Sequence, residues 1–225
     1  MYKITKEEIE IERSPSEIYD WVFSTFDNFT LKTEKTSLRL LMYDEIKIFV
    51  EESYPLALFC KYFFAEDNSI KINQKVGNQS YDAKVDGCEK FEFIEITNAI
   101  NGHNEKLRNS ELDKTGSVPG IGGIIVNGTK ASGNQTVEFE NIAVSHTGMK
   151  EEQKALILKA IEKKSKIEYP NKTMLVVAFN DFTTFMSKED ITELQIFMDK
   201  ILRPKIDRFV GLSLVGLSGK TFLSI

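Results

Sequence analysis

Apolar and polar positions follow two different periods along this chain, and the change of period divides it near residue 66. Before that point apolar residues recur at helical spacing. Ile18, Trp21, Val22 and Phe26 lie three or four residues apart, which is one stripe of an amphipathic helix. Ser14-Pro15-Ser16-Glu17 supplies its start, with Ser14 as N-cap, Pro15 at the first helical position and Glu17 three residues after the cap. From residue 37 to 64, Leu38, Leu41, Met42, Ile46, Phe49 and Val50 keep mainly helical spacing. Pro55 predicts a kink or a new helix near Glu52-Ser53-Tyr54-Pro55, because proline removes a helical hydrogen bond. Alternation over residues 45–50 leaves a strand as the other option there.

Beyond Asp67-Asn68-Ser69 come short segments of period two. Residues 70–75, 81–85 and 91–97 read as strands, and Asp86-Gly87-Cys88-Glu89 turns the last two into a hairpin. Asn101-Gly102 marks a turn, and residues 104–112 form a polar helix ending before Gly116. Residues 116–133 hold six of the thirteen glycines, which predicts a mobile loop or β-ribbon. A strand over 137–144 precedes the clearest helix, 150–168. Its Leu156, Ile157, Leu158 and Ile161 face inward, and its six lysines (150, 154, 159, 163, 164 and 166) lie outward or flank it. Residues 173–179 are almost continuously apolar, as in a strand covered on both faces. Ser187 caps a helix that runs to about residue 202, and strands over 209–217 and 220–225 close the chain around Ser218-Gly219. No repeat or linker separates two cores. The expectation is one α/β domain over residues 1–225, mainly helical through residue 66 and sheet-containing from 67 onward.

Composition narrows the function classes. A hydrophobic content of 41% with sixteen Phe allows a substantial core, and the net charge of −5 excludes a global basic field. A local basic face remains compatible with that total. Cys60 and Cys88 form neither a disulfide framework nor a zinc ligand set, and His103 and His146 are too few for a histidine-rich metal site. The charged N-terminus lacks a signal-peptide core, and no apolar run reaches the roughly 20 residues of a membrane span. These features predict a cytoplasmic protein with no membrane partner.

Three glycine-rich segments fail as nucleotide sites. Residues 123–130 have phosphate-loop glycine spacing but end Thr129-Lys130, the reverse of the required order. Gly219-Lys220-Thr221 has the right ending, but Leu214 stands where the first glycine belongs. Residues 120–125 lack the third glycine of a dinucleotide fingerprint. No Gly-x-Ser-x-Gly elbow is present.

The chemistry concentrates on the hairpin. Asp82 lies on its first strand and Glu95 on its second, with Phe91, Phe93, Glu95 and Thr97 predicted on one face. A carboxylate among aromatic side chains costs free energy unless it is paired, hydrogen-bonded or bound to a cation. Two carboxylates on adjoining strands suit a hard divalent cation that leaves its other positions to water and phosphate. The bland alternative is an exposed strand end, or a pairing of Glu95 with Lys84.

Tyr81-Asp82…Glu95-x-Thr97 resembles the PD-(D/E)xK superfamily of nucleases, which includes many restriction endonucleases. Gly102-His103-Asn104-Glu105-Lys106-Leu107-Arg108 is similar to a further element of an uncharacterised bacterial branch, so the likeness spans roughly residues 50–180. The resemblance implies an α/β/α core with a mixed central sheet and N-terminal helices. It also implies Mg²⁺ or Mn²⁺ held by Asp82 and Glu95, with Glu51 or, preferably, Glu52 as an accessory ligand. The expected activity is phosphodiester cleavage in DNA or RNA, in bacterial restriction or defence, with a homodimer left open. Thr97 occupies the position of the lysine that activates the attacking water, and it cannot carry that charge. Lys84 is the first candidate to replace it, and Lys163 or Lys164 on the long helix the second. His103 could reach the site. Lys106, Arg108, Lys114 and Lys130 form the expected nucleic-acid contact. A catalytically inactive binding module on the same fold is the alternative, with the missing lysine as its sign.

Overall fold

The structure, a computed structural model, describes residues 4–32, 44–65, 67–118, 123–128, 136–139 and 143–225. Helices α1 (Lys6–Ile9) and α2 (Pro15–Lys32) open the chain. The predicted cap of α2 is a reciprocal pair: Ser14 N–H donates to Glu17 at 2.7 Å, and Glu17 N–H donates to the Ser14 hydroxyl at 3.4 Å. The strand option over residues 45–50 is overturned. Those residues lie in α3 (Asp44–Ile48) and a π-helical turn over Phe49–Ser53, which runs into α4 (Tyr54–Phe63) with Pro55 in its first turn. The part of the predicted helix before residue 44 lies outside the described residues.

Among the described residues, six strands make one mixed sheet. These are β1 (Lys71–Gln74), β2 (Ala83–Asp86), β3 (Phe93–Ala99), β6 (Thr173–Phe179), β7 (Gly211–Gly216) and β8 (Phe222–Ser224), adjacent in that order. β1, β2 and β3 form an antiparallel meander, β3, β6 and β7 run parallel, and β8 returns antiparallel. Between β3 and β6 the chain forms α5 (Gly102–Thr115), a separate hairpin of β4 (Ile124–Asn127) and β5 (Thr136–Phe139), and α6 (His146–Lys164). Asn101 caps α5 and Gly116, in the left-handed region, ends it. α7 (Lys188–Phe197) lies between β6 and β7 and begins with a second capping box, Ser187 with Asp190.

Alternation along the parallel strands divides the core into two layers. Ile94, Ile96, Met174, Val176 and Val215 meet the N-terminal helices, through Phe49, Leu56, Phe59 and Cys60 among others. Leu175, Val177, Phe179, Leu212 and Leu214 meet Ile157 and Ile161 of α6 and Leu194 and Met198 after Ser187. All seven residues of β6 are buried, so both faces of that strand are covered as its apolar run predicts. Helices therefore flank an α/β sheet on both sides. Phe91 departs from the expected face. It lies before β3 begins and packs with Phe59, Phe63 and Phe64 under the N-terminal layer.

Candidate functional site

β3 presents Glu95 to the α6 side of the sheet, between the neighbours Ile94 and Ile96 that face the other way. Its side chain is nearly lost to solvent, at 7% exposure. Ala83 pairs with Ile94, and Asp82 precedes the one while Glu95 follows the other, so the two acidic residues lie abreast across the hairpin. The Asp82 backbone N–H donates to Ile94 O at 2.9 Å, and its carboxylate accepts from the Ile96 N–H at 2.6 Å. That side chain takes the place a strand carbonyl would fill just before β2 begins.

The end of α6 closes this site. Lys164 Nζ donates to Glu95 Oε1 in an ion pair, and the Tyr169 hydroxyl donates to the same oxygen at 3.4 Å. Tyr169 is itself set by ring contact with Phe209, 5.0 Å between centroids. On the opposite layer the π-helical turn is tethered to the sheet at two points. Asn98 Nδ2 donates to Glu51 O at 2.7 Å, and Ser53 Oγ donates to Gln74 Oε1 at 2.7 Å. The widened turn brings Glu52 near enough for its charge to act on Asp82 and for that of Glu95 to act on Glu52.

Electrostatics records this crowding. Burial, followed by the charges of Glu95 and Glu52, pushes the Asp82 carboxyl up to about 8, although the Ile96 N–H and Lys164 pull the other way. Burial, with Glu95 and Glu51 behind it, pushes Glu52 up to about 7. The Gln74 amide offsets part of that, although its Nε2 completes no hydrogen bond of good geometry. Burial and then Glu95 also raise the Tyr169 phenol, which therefore acts as a donor to Glu95. Three acids thus share a partly dry site with one ammonium.

The structure sets Asp82, Glu95 and Glu52 within reach of one another's charge, short of ligand spacing, and adds Lys164 and Tyr169 on Glu95. It leaves Lys84 out. That side chain is exposed and donates to Asp86, two residues along the same face of β2, at 2.8 Å. Thr97 lies two residues past Glu95 on β3, opposite Val177 of β6, and carries no charge to the site. Lys163 is exposed beside Lys164 on the turned-away face of α6. His103 and Lys106 are exposed on α5, and Arg108 sits over the Phe139 ring of the β4–β5 hairpin at 5.7 Å. Lys114 pairs with Glu111 at 3.1 Å, and Lys130 lies outside the described residues. Sequence reading passed over Tyr169, whose only signal is a phenol five residues after Lys164.

A depression of about 430 Å³ lined by residues 84–89 and Glu92 contains none of these acids, so size alone does not locate the chemistry. Gly219, at φ +70°, turns β7 into β8 instead of cradling phosphate, and Tyr62 donates to its carbonyl. Cys60 and Cys88 are free thiols. Comparison with family models, with curated proteins and with solved structures finds no match. Among the described residues, no helix is long and apolar enough to cross a membrane.

The donor set fits a hard divalent cation in chemistry, since it consists of carboxylate oxygens. Among the described residues no three acidic, histidine or cysteine side chains stand gathered at ligand spacing. Glu95 Oε1 is committed to Lys164 and Tyr169, while Asp82 and Glu52 repel each other.

Proposed function

We propose that this chain is a divalent-metal-dependent nuclease in which Lys164 supplies the amine missing at Thr97. The observation that carries the reading is the Lys164 ammonium on Glu95, abreast of Asp82. The order of elements, α4 then the β1–β2–β3 meander, then α6 and the parallel strand β6, supports the resemblance to the PD-(D/E)xK nucleases. Asp82 and Glu95 would hold Mg²⁺ or Mn²⁺, with Glu52 as the accessory ligand. Such an ion would supply Lewis-acid chemistry at the phosphate and would lower the pKa of a water. The chain supplies orientation and charge. The Ile96 N–H fixes the Asp82 carboxylate, Tyr169 steadies Glu95, and Lys164 places a positive charge where negative charge grows on a scissile phosphate.

Calorimetry with Mg²⁺ and Mn²⁺ tests the metal site: wild type binds, and Asp82→Ala does not. Equal binding by both proteins overturns the assignment. Cleavage of mixed DNA and RNA substrates then separates roles, with Lys164→Ala losing on the order of a hundredfold or more and Lys84→Ala staying near wild type. The second reading, a binding module without turnover, is favoured by one observation. Glu95 is already satisfied by the chain's own lysine and tyrosine. Metal binding with no cleavage of any substrate selects that reading.

A further inference from the structure

The charge of this molecule is unevenly spread, and its basic part is not where the sequence places the nucleic-acid contact. Residues 102–140, which include Lys106, Arg108, Lys114 and Lys130, carry four cations against five acids. Residues 159–172 and 203–208 together carry eight cations against three acids, in a chain of net charge −5. Lys164, Lys172, Arg203 and Lys205 pair with Glu95, Glu92, Asp199 and Glu162, which leaves Lys159, Lys163, Lys166 and Arg208 outside those pairs against Glu168 and Asp207. Those two segments are adjacent in space. Ser165 Oγ donates to Lys205 O at 2.6 Å, Lys205 pairs with Glu162 at 2.8 Å, and Arg208 donates to Ile167 O at 3.3 Å.

Lys159, Lys163 and Lys166 recur at i, i+4 and i+7 along and just beyond α6, so they share one exposed face. Lys164, a third of a turn away, points instead at Glu95. Cations near a helix C-terminus are commonly explained by the helix dipole, but that amounts to only about half a negative charge. It answers for a fraction of the four exposed cations, Arg208 included. The remainder lies next to the Lys164–Tyr169 end of the candidate site.

We infer that the exposed face formed by Lys159, Lys163, Lys166 and Arg208 is the track along which a nucleic-acid phosphate backbone runs into the carboxylate site. The inference rests on the nuclease reading for its substrate, and its partner is a nucleic acid engaged through its phosphates, a choice carried by the charge complementarity of these exposed cations. Backbone contacts of this kind release counterions, so affinity falls steeply with salt, by a log–log slope of about 0.9 per phosphate neutralised.

The test is fluorescence anisotropy of a labelled duplex DNA on the full chain in EDTA, so that neither metal binding nor cleavage enters the readout. Wild type binds, and Lys163→Glu/Lys166→Glu/Arg208→Glu weakens binding at least about tenfold and lowers the salt slope by about 3. Lys163→Gln/Lys166→Gln/Arg208→Gln shows an intermediate loss with an unchanged circular-dichroism spectrum. Lys106→Glu/Lys114→Glu, on α5, stays within about twofold of wild type on the same footing. No binding by wild type at low salt, an unchanged slope in the patch variants, or an equal loss in the α5 variant overturns the inference. Calorimetry with Mg²⁺ reads the carboxylate site separately, so a failed metal titration with intact anisotropy sinks the nuclease reading and not the surface.

Discussion

Asp82 and Glu52 are carboxyls whose surroundings disfavour their charged forms, and this has a defined sign in the pH dependence of stability. Their ordinary values near 4 apply to the unfolded chain, whereas the folded ones are about 8 and about 7. The folded state therefore holds more protons than the unfolded state through the neutral range. That contribution is full below about pH 4 and is lost as pH rises through 7 and 8. In EDTA, the urea midpoint of the wild type should fall between pH 6 and pH 9. Asp82→Asn/Glu52→Gln should flatten that fall and gain on the order of 1–3 kcal/mol at pH 9, the scale of relieving one buried charge. A double variant with the same pH slope as wild type would mean that these two groups do not cause it. A different kind of constraint acts at Gly216, where an added Cβ would stand 2.1 Å from Asp181 Oδ2. Asp181 is held by the Ser218 N–H and hydroxyl, both at 2.7 Å, and cannot swing aside. Gly216→Ala should cost about 1–3 kcal/mol in chemical denaturation, and a neutral result would show that the β7–β8 turn yields.

At the scale of elements, α6 shows how far a sequence pattern reaches and where it stops. Its existence and apolar stripe were legible, because Ile157 and Ile161 at i and i+4 are what a sheet-facing helix requires. Its span was not: the helix runs over His146–Lys164, four residues earlier at each end than 150–168, from the cap at Ser145. So were the caps at Ser14 and Ser187, the hairpin turn after Asp86, and the two-faced burial of β6, since each depends on neighbours in sequence. The lysines were not. Lys154 is only 9% exposed, and Lys150 and Lys154 turn inward to bind Asp190 and Glu193 of α7, pairings about forty residues apart that no local period encodes. Lys164 was open only as a second choice, because its partner Glu95 is 69 residues distant and meets it only once β6 has docked beside β3. Lys84 was preferred because alternation sets it on the face of Asp82, but alternation says nothing about which end of the face a helix covers. The α6–α7 clamp gives its own prediction. Glu193 is partly exposed, so Glu193→Ala should cost about 1–2 kcal/mol rather than the larger loss of a fully buried pair, and the cost should shrink in high salt. A cost that does not depend on salt would assign the effect to packing.

For the whole molecule, the same docking that hides Glu95 would decide what a divalent ion at the proposed site does to stability. The carboxylates belong to three separate parts of the chain: the π-helical turn, the start of β2 and the middle of β3. The unfolded chain cannot present them together, so an ion that uses them binds the folded state alone and stabilises it by mass action. At a concentration about a hundred times its dissociation constant the gain is about 2.7 kcal/mol, which for a chain of this length raises the melting temperature by roughly 5–11 °C. The proton balance sets a second condition. At pH 6 both Asp82 and Glu52 hold protons that the ion must displace, whereas at pH 8.5 much of that work is done. The shift produced by Mn²⁺ or Mg²⁺ should therefore grow between pH 6 and pH 8.5 in the wild type and be absent in Asp82→Ala. Lys164→Met removes the competing ammonium from Glu95 and should keep the shift, or enlarge it, while cleavage is lost. Scanning calorimetry of the three proteins at the two pH values checks this, and an equal shift in wild type and Asp82→Ala would place the ion somewhere other than the hairpin.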